Sequence, residues 1–179
     1  SSLITLLISP YLIGKARVIS KHLDSYIGSN NEVEVDSEIA TLANHVVVIG
    51  YGVAGVEVVA DLLESGQEVL VIDMGQVGVS KARKDGAHSI LGNAQRREIL
   101  EHSGIRTAKL LVSTLPDHRA SVQTIQQIRA FAPTIPIIAR ARYSIHGMEL
   151  TRAGADVVVD EEKCVGNSIS QRTMQQIGL

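Results

Sequence analysis

The chain has 179 residues, of which 45% are hydrophobic but only 3% aromatic, and its formal net charge is −2. A core of Val, Ile, Leu and Ala favours a parallel sheet covered by helices, and the lack of excess positive charge argues against a nucleic-acid partner. The single cysteine, Cys164, excludes an internal disulfide framework and a multi-thiolate metal site, and it fits a reducing, cytoplasmic setting.

Residues 1–27 open with an apolar run from Leu3 to Ile13, and Lys15, Arg17 and Lys21 follow it directly. The run is shorter than the roughly 18 residues that indicate a membrane span on their own. An apolar stretch followed by basic residues is nevertheless typical of the cytoplasmic end of a spanning helix. The alternative is an amphipathic helix that caps a soluble domain or packs in a dimer. No basic leader or small-residue cleavage site of a secretory signal is visible.

Residues 28–44 are dominated by small, polar and acidic side chains, among them Glu32, Glu34, Asp36 and Glu38. This composition predicts a solvated linker without chemistry of its own.

From residue 45 to the end, short apolar runs alternate with amphipathic stretches of helical length. The predicted strands are 46–49, 68–72, 88–91, 109–113, 135–139 and 156–159. The predicted helices lie near 53–65, 76–86, 94–103, 117–131 and 144–153, with a last one after Glu161. Six strands joined by helical crossovers predict an α/β fold, a Rossmann-like doubly wound parallel sheet with helices on both faces and strand order 3-2-1-4-5-6.

The first strand runs into a glycine-rich segment, Gly50-Tyr51-Gly52-Val53-Ala54-Gly55, which we call the glycine turn. A strand before and a helix after make this G-x-G-x-x-G a dinucleotide-type signal. Gly50 would allow the tight turn, Gly52 the approach of a phosphate, and Gly55 close packing of the helix on the strand. The helix N-terminus, from Val53 and Ala54 onward, would present free N–H groups to an anion. We therefore expect Val at position 52 or 55 to abolish nucleotide binding and to leave the fold largely intact.

The second strand ends in Asp73, where the dinucleotide fingerprint has a carboxylate that accepts hydrogen bonds from ribose hydroxyls. An Asp repels a 2′-phosphate, and the following Met74 and Gly75 bring no compensating positive charge. We expect an adenosine nucleotide with an unphosphorylated ribose, such as AMP, ADP, ATP or NAD(H), whereas NADP is disfavoured. The alternative is an Asp that merely caps the next helix.

Further short stretches carry a family resemblance between His45 and Glu162. They are His45–Gly52, Val71–Asp73, Leu91–Ala94, Ile99–Ile105, Ala108–Thr114, Ile137–Arg142 and Gly154–Val158. In this set and order the sequence resembles the TrkA-N or RCK N-terminal (KTN) regulatory domain of potassium channels and cation:proton antiporters.

The resemblance implies further ligand contacts. Gly92, Asn93 and Ala94, after the third strand, would touch the adenine or its ribose. Most relatives have Asp where this chain has Asn93, so a charge is lost and an amide remains. Thr114 would lie beside the nucleotide at the crevice between the two halves of the sheet. Arg140 would reach a phosphate as a bidentate donor, the alternative being a pair with a nearby carboxylate.

The resemblance also implies a place for the chain. Residues 1–27 resemble the end of the last membrane helix of such antiporters, and residues 28–44 the linker that follows it. On this interpretation the domain lies at the cytoplasmic face of the inner membrane, attached to a membrane transport domain of the same protein. There it would gate a potassium:proton antiporter or a related transporter, as a homodimer.

The alternative is an NAD-dependent oxidoreductase, or the cofactor-binding fragment of one. An oxidoreductase needs side chains that hold substrate and move a proton. A Tyr-x-x-x-Lys pair occurs only at Tyr11 and Lys15, ahead of the glycine turn. The histidines show no His-x-x-x-His and no acidic partner at ligand spacing, so we expect neither catalysis nor a metal site; they are His22, His45, His88, His102, His118 and His146.

Overall fold

The computed structural model describes Ile39 and residues 42–178. The predicted membrane-derived or amphipathic segment, residues 1–27, and most of the predicted linker lie outside the described residues.

Six strands form one sheet in the order β3-β2-β1-β4-β5-β6, and every neighbouring pair is parallel. The strands are β1 (Val46–Ile49), β2 (Val69–Asp73), β3 (His88–Leu91), β4 (Leu110–Ser113), β5 (Ile137–Ala141) and β6 (Val157–Asp160). The predicted fold class and strand order are confirmed. Since the strand order reverses its direction between β1 and β4, the crevice at their carboxyl ends is where such a sheet places a ligand.

Helices connect the strands. They are α1 (Val53–Glu64), α2 (Gln76–Lys84), α3 (Arg97–His102), α4 (His118–Phe131), a 3-10 turn (Ser144–His146) with α5 (Gly147–Ala153), and α6 (Glu161–Gln176). Helix α3 begins three residues later than expected. The cause is Asn93, whose side-chain oxygen accepts the backbone N–H of Gln95 at 2.9 Å, a local bond that competes with helix formation.

The core has two layers, one on each face of the sheet. Along β1, Val47 and Ile49 belong to one cluster, while Val46 and Val48 belong to the other. The first cluster takes in side chains of α3, α4 and α5 and the second takes in those of α1 and α2. Burial on both faces explains why the strands are unbroken apolar runs.

The core also includes Ile39, which is 1% exposed although it lies in the segment assigned to the linker. The packed domain therefore draws on the chain ahead of residue 45, and the acidic composition of residues 28–44 concealed this apolar contact.

Helix α6 differs from the other α-helices because none of its residues is buried. Its apolar side chains, Val165 and Ile169 among them, are about half exposed or more. Within residues 42–178, no helix combines the length and apolar character needed to cross a bilayer.

Candidate functional site

The glycine turn joins the end of β1 to the start of α1. Gly50 has φ +92°, a left-handed conformation that favours glycine, and its N–H donates to Ile72 O at 2.9 Å. Gly52 is the N-cap of α1 and offers no side chain to the first turn, which contains no acidic residue. The N–H groups at the start of this 12-residue helix are thus left for an anion.

The other two glycines of the turn have different environments. A Cβ on Gly55 would lie 2.1 Å from the carbonyl oxygen of Gly50, so only glycine allows the helix this close to the strand end. A Cβ on Gly52 would meet nothing within 4 Å. The expectation that Val at either position leaves the fold intact is therefore wrong for Gly55, because its clash is with backbone. The space predicted for a phosphate is open at Gly52.

Asp73, at the end of β2, is oriented by two backbone donors. Its Oδ2 accepts the N–H of Tyr51 at 2.6 Å, and its Oδ1 accepts the N–H of Gly75 at 2.7 Å. Gly78 leaves room for this carboxylate, since a Cβ there would lie 3.0 Å from Asp73 Cγ. The N-cap of α2 is Gly75, without a side-chain cap, so Asp73 does not cap that helix. Each carboxylate oxygen keeps a lone pair for another donor.

Tyr51 ties the glycine turn to the far end of α2. Its hydroxyl donates to Asp85 Oδ2 at 2.7 Å, and Lys81 Nζ lies 3.1 Å from the same oxygen. Burial, and then the bond to Asp85, raise the pKa of Tyr51 to about 12. The bonds from Tyr51 and Lys81 lower the pKa of the Asp85 carboxyl. A neutral tyrosine therefore holds the turn in place.

A cavity of about 150 Å³ opens beside the turn at the carboxyl ends of the strands. Six predicted site residues line it: Gly50, Asp73, Met74, Gly92, Asn93 and Ala94. Of the other predicted residues, Val53 is 88% exposed at the start of α1. Ala54 is half-buried behind it.

Asn93 lines this cavity, and the oxygen of its side-chain amide is already hydrogen-bonded within the protein. Its Oδ1 accepts the N–H of Gln95, which orients the side chain. The Nδ2 hydrogens are donors, where an Asp would offer only acceptors. A Cβ on the neighbouring Gly92 would lie 2.5 Å from Ile99 Cδ1, so the Ile99 side chain would have to shift to admit a larger residue there.

Thr114 lies where the two halves of the sheet meet. Its hydroxyl lies 3.1 Å from Ile49 O and 3.0 Å from Gly50 O, so Thr114 is hydrogen-bonded to the start of the glycine turn. Arg140 donates from Nη1 to Thr114 O at 3.2 Å. Its Nε and Nη2 lie 2.8 and 2.5 Å from Glu161 Oε2. The structure thus contains the carboxylate pair weighed as the alternative, while contact of Arg140 with a phosphate stays a prediction.

Sequence reasoning missed six residues of the cavity wall, namely Ile49, Ile72, Gln95, Leu115, Ala120 and Thr124. Ala120 and Thr124 are one turn apart on α4, so the helical spacing marked them as a pair on one face. Gln95 Nε2 reaches Gln123 Oε1 at 3.3 Å, a contact between the segment ahead of α3 and helix α4 that no local pattern indicates.

No acidic pairing of a histidine at ligand spacing was expected from the sequence, but two histidines lie beside a carboxylate in the structure. His88 Nε2 lies 3.4 Å from Glu68 Oε2. His118 Nε2 lies 2.5 Å from Glu149 Oε2, and the His118 ring stacks on that of His146, with centroids 3.9 Å apart. The spacing His146-x-x-Glu149 was the available signal, because residues three apart share one side of a helix start.

Two curated relatives are membrane transport proteins. The chain is 29% identical over 163 residues to the putative cation/proton antiporter YbaL of Escherichia coli K12, covering 91% of this chain and 28% of YbaL. It is 30% identical over 128 residues to the glutathione-regulated potassium-efflux system protein KefC of Escherichia coli O17:K52:H18, covering 72% of this chain and 21% of KefC. The chain thus spans less than a third of the length of either relative.

Solved structures share the fold. The TrkA-N domain of the inner membrane protein YbaL from Escherichia coli superposes with a TM-score of 0.69 and 32% identity, over 78% of this chain and 99% of that one. The AMP-bound Kef C-terminal domain of Shewanella denitrificans has a TM-score of 0.66 and 22% identity, over 76% and 82% of the two chains. The GsuK channel bound to NAD has a TM-score of 0.63 and 16% identity, over 85% and 27%.

The model of the TrkA-N domain family matches residues 46–161, from the first strand to the start of α6. This match contains the glycine turn, Asp73, the cavity and the Thr114–Arg140 contact. The chain belongs to the TrkA-N domain family.

Proposed function

We propose that this chain is a regulatory domain that binds an adenosine nucleotide and thereby gates a monovalent cation:proton antiporter, with potassium as the cation. The observation that carries the proposal is the open glycine turn. Gly52 has free space above it, the uncapped start of α1 points its N–H groups there, and Asp73 stands alongside. Phosphate at the turn and ribose at Asp73 is the arrangement that this geometry favours.

The ligand that we propose lacks a 2′-phosphate. Asp73 accepts two backbone N–H groups, so its carboxylate is held in place and cannot easily turn away from a second negative charge. AMP, ATP or NAD(H) would therefore bind in preference to NADP. Kef in complex with AMP and GsuK in complex with NAD support the same class of ligand.

The partner that we propose is a membrane transport domain of the same protein. YbaL and KefC support it, since both are described as cation transport proteins and both are several times longer than this chain. The domain would lie at the cytoplasmic face of the membrane. A nucleotide could bias the transporter only by binding one of its states more tightly than the other.

We further propose that the domain acts as a homodimer and not as an oxidoreductase. The unburied α6 supports pairing, because its exposed Val165 and Ile169 form an apolar stripe one turn apart. A regulatory role is supported by the relatives, which are named as transporters and as their domains.

The test has two parts. Calorimetry on this chain with AMP, ATP, NAD and NADP should give the weakest binding for NADP; tightest binding of NADP would contradict the proposed ligand class. Membrane vesicles that carry the full-length protein should then exchange potassium for protons at a rate that depends on nucleotide. In Asp73→Ala the nucleotide concentration that alters the rate should rise, and in Asp61→Ala, an exposed carboxylate on α1, it should not. If the vesicles show no such exchange and this chain instead oxidises NADH, the oxidoreductase interpretation would be favoured.

A further inference from the structure

Three potential metal ligands converge between α4 and α5. His118 is the first residue of α4, His146 ends the 3-10 turn, and Glu149 is in the first turn of α5. One ligand-type atom from each lies within 4.8 Å of the other two. Two imidazoles and a carboxylate are the donor set that proteins use for zinc when a fourth position stays open.

We propose that His118, His146 and Glu149 bind a divalent transition-metal ion of the zinc class, with water as the fourth ligand. In a tetrahedral zinc site with bonds of 2.0–2.1 Å, neighbouring ligand atoms lie about 3.3 Å apart. The three atoms must therefore approach one another by at most about 1.5 Å. The Glu149 side chain is exposed, so it has room to turn toward the two imidazoles.

A hydrogen bond joins two of the three proposed ligands. His118 Nε2 lies 2.5 Å from Glu149 Oε2, so that nitrogen donates to the carboxylate. The two histidine rings are nearly parallel, at 12°, and their in-plane lone pairs cannot converge until one ring turns. Metal binding therefore displaces the shared proton and breaks the stack, which makes the affinity dependent on pH.

Two features of His118 moderate the affinity. Its Nδ1 is buried and has no hydrogen-bond partner in the described part of the chain, whereas a metal-bound histidine usually donates its other N–H to an acceptor. Its position at the start of α4 also brings the positive end of a helix dipole toward the ion. A missing outer partner lowers metal affinity by about 10–100-fold.

A bound ion would join the starts of α4 and α5. Helix α4 also supplies Ala120 and Thr124 to the wall of the nucleotide cavity. The proposal of a metal site does not depend on nucleotide binding, however, because none of its three ligands lines the nucleotide cavity and its test contains no nucleotide.

The test is titration of the full chain with zinc chloride, followed by calorimetry, and with cobalt chloride, followed by visible absorption. We expect one ion per chain and the intense absorption bands of tetrahedral cobalt. Glu149→Gln and His146→Ala should each weaken zinc binding at least tenfold. His102→Ala, an exposed histidine on α3, and Cys164→Ser should retain it.

Absence of binding up to millimolar zinc, or equal affinity in Glu149→Gln and the unsubstituted chain, would overturn the proposal. Glu149 is exposed, and its conversion to Gln keeps the side-chain volume, so a loss of metal in this variant is not a loss of fold.

Discussion

The backbone N–H of Tyr51 donates to Oδ2 of Asp73 over 2.6 Å, across 22 positions of sequence. This bond brings the carboxylate that would bind the ribose next to the turn that would bind the phosphate. The two parts of the nucleotide site are therefore in register before any ligand arrives, which lowers the ordering entropy that binding must overcome.

Replacing Asp73 by Asn should weaken AMP and NAD binding by about tenfold or more, because hydrogen bonds to a charged group contribute about 1.5–3 kcal/mol. The discrimination against NADP should shrink at the same time, since the charge that repels the 2′-phosphate is gone. Calorimetry with the three nucleotides measures both effects. Asp61→Asn, an exposed carboxylate on α1, is the matched control and should behave like the unsubstituted chain.

Gly52→Val should leave the thermal midpoint of the free protein nearly unchanged, because a Cβ at this position meets nothing within 4 Å. It should abolish the rise in midpoint that AMP produces, because it fills the space of the phosphate. Gly55→Ala should lower the midpoint without ligand, since its Cβ would lie 2.1 Å from Gly50 O and overpacking costs about 1–3 kcal/mol. If Gly52→Val is still stabilised by AMP as before, the turn is not the phosphate site.

Releasing Arg140 should strengthen phosphate binding. Glu161 accepts from two nitrogens of Arg140 and competes with a ligand for its charge. We therefore expect Glu161→Gln to bind ATP several-fold more tightly and Arg140→Gln to bind it more weakly, each measured by calorimetry. Glu162→Gln, the neighbouring carboxylate on α6, serves as the control. Equal ATP affinity in all of these variants would mean that Arg140 does not contact the phosphates.

Acid should destabilise the fold through His45. This buried residue, bonded through Nε2 to Ser103 O at 2.9 Å, has a pKa lowered from 6.5, mainly because burial disfavours its charged form. The unfolded chain thus takes up the proton first, and the free energy of unfolding should fall as the pH drops below about 6.5. Urea unfolding at pH 8 and pH 5 should show a smaller loss in His45→Asn than in the unsubstituted chain. His102→Asn should not reduce this loss of stability between pH 8 and pH 5. A reduction of the same size in His102→Asn would mean that His45 is not the cause of the acid sensitivity.

Self-association should depend on the stripe of α6. Ile169 is 61% exposed on a helix without a buried residue, so Ile169→Lys should convert a dimer into a monomer. Sedimentation velocity at tens of micromolar, roughly the range that separates weak pairs from monomers, measures this. Gln175→Lys adds the same charge near the end of the helix and should remain paired. Only monomer in the unsubstituted chain would contradict the proposal.

The strands and the glycine turn were predictable because both depend on local patterns, and the strand order because right-handed crossovers restrict the possible topologies. Runs such as Val46–Ile49 and Val69–Ile72 are apolar on both faces, and a strand that leads directly into Gly50 and Gly52 is typical of a phosphate-binding turn. The start of α3 was not predictable from periodicity, since the Gln95 N–H donates to Asn93 Oδ1 and this local bond replaces the first turn of the helix.

Contacts between distant elements could not be predicted from the sequence for a different reason. The pairing of Arg140 with Glu161 depends on β5 and β6 being neighbours, and that of His118 with Glu149 joins residues 31 positions apart. Neither spacing follows the helical or the strand period, so the sequence pattern does not indicate these pairs. The identity of the bonded partners follows only after the strands have an order, which is why the charged part of the crevice was predicted less well than its glycines.

Thr114 is part of a series of three contacts that connects the glycine turn to helix α6. Its hydroxyl lies within hydrogen-bond distance of the carbonyl oxygens of Ile49 and Gly50, and its own carbonyl oxygen accepts a hydrogen bond from Arg140. Other nitrogens of Arg140 donate to Glu161 at the start of α6. Substitutions at the two ends should therefore be non-additive, with a coupling free energy of about 0.5–2 kcal/mol in a double-mutant cycle of Thr114→Val with Glu161→Gln. A phosphate that shifts the glycine turn would act on the same series of hydrogen bonds. It would therefore also displace α6, the helix that carries the exposed apolar stripe.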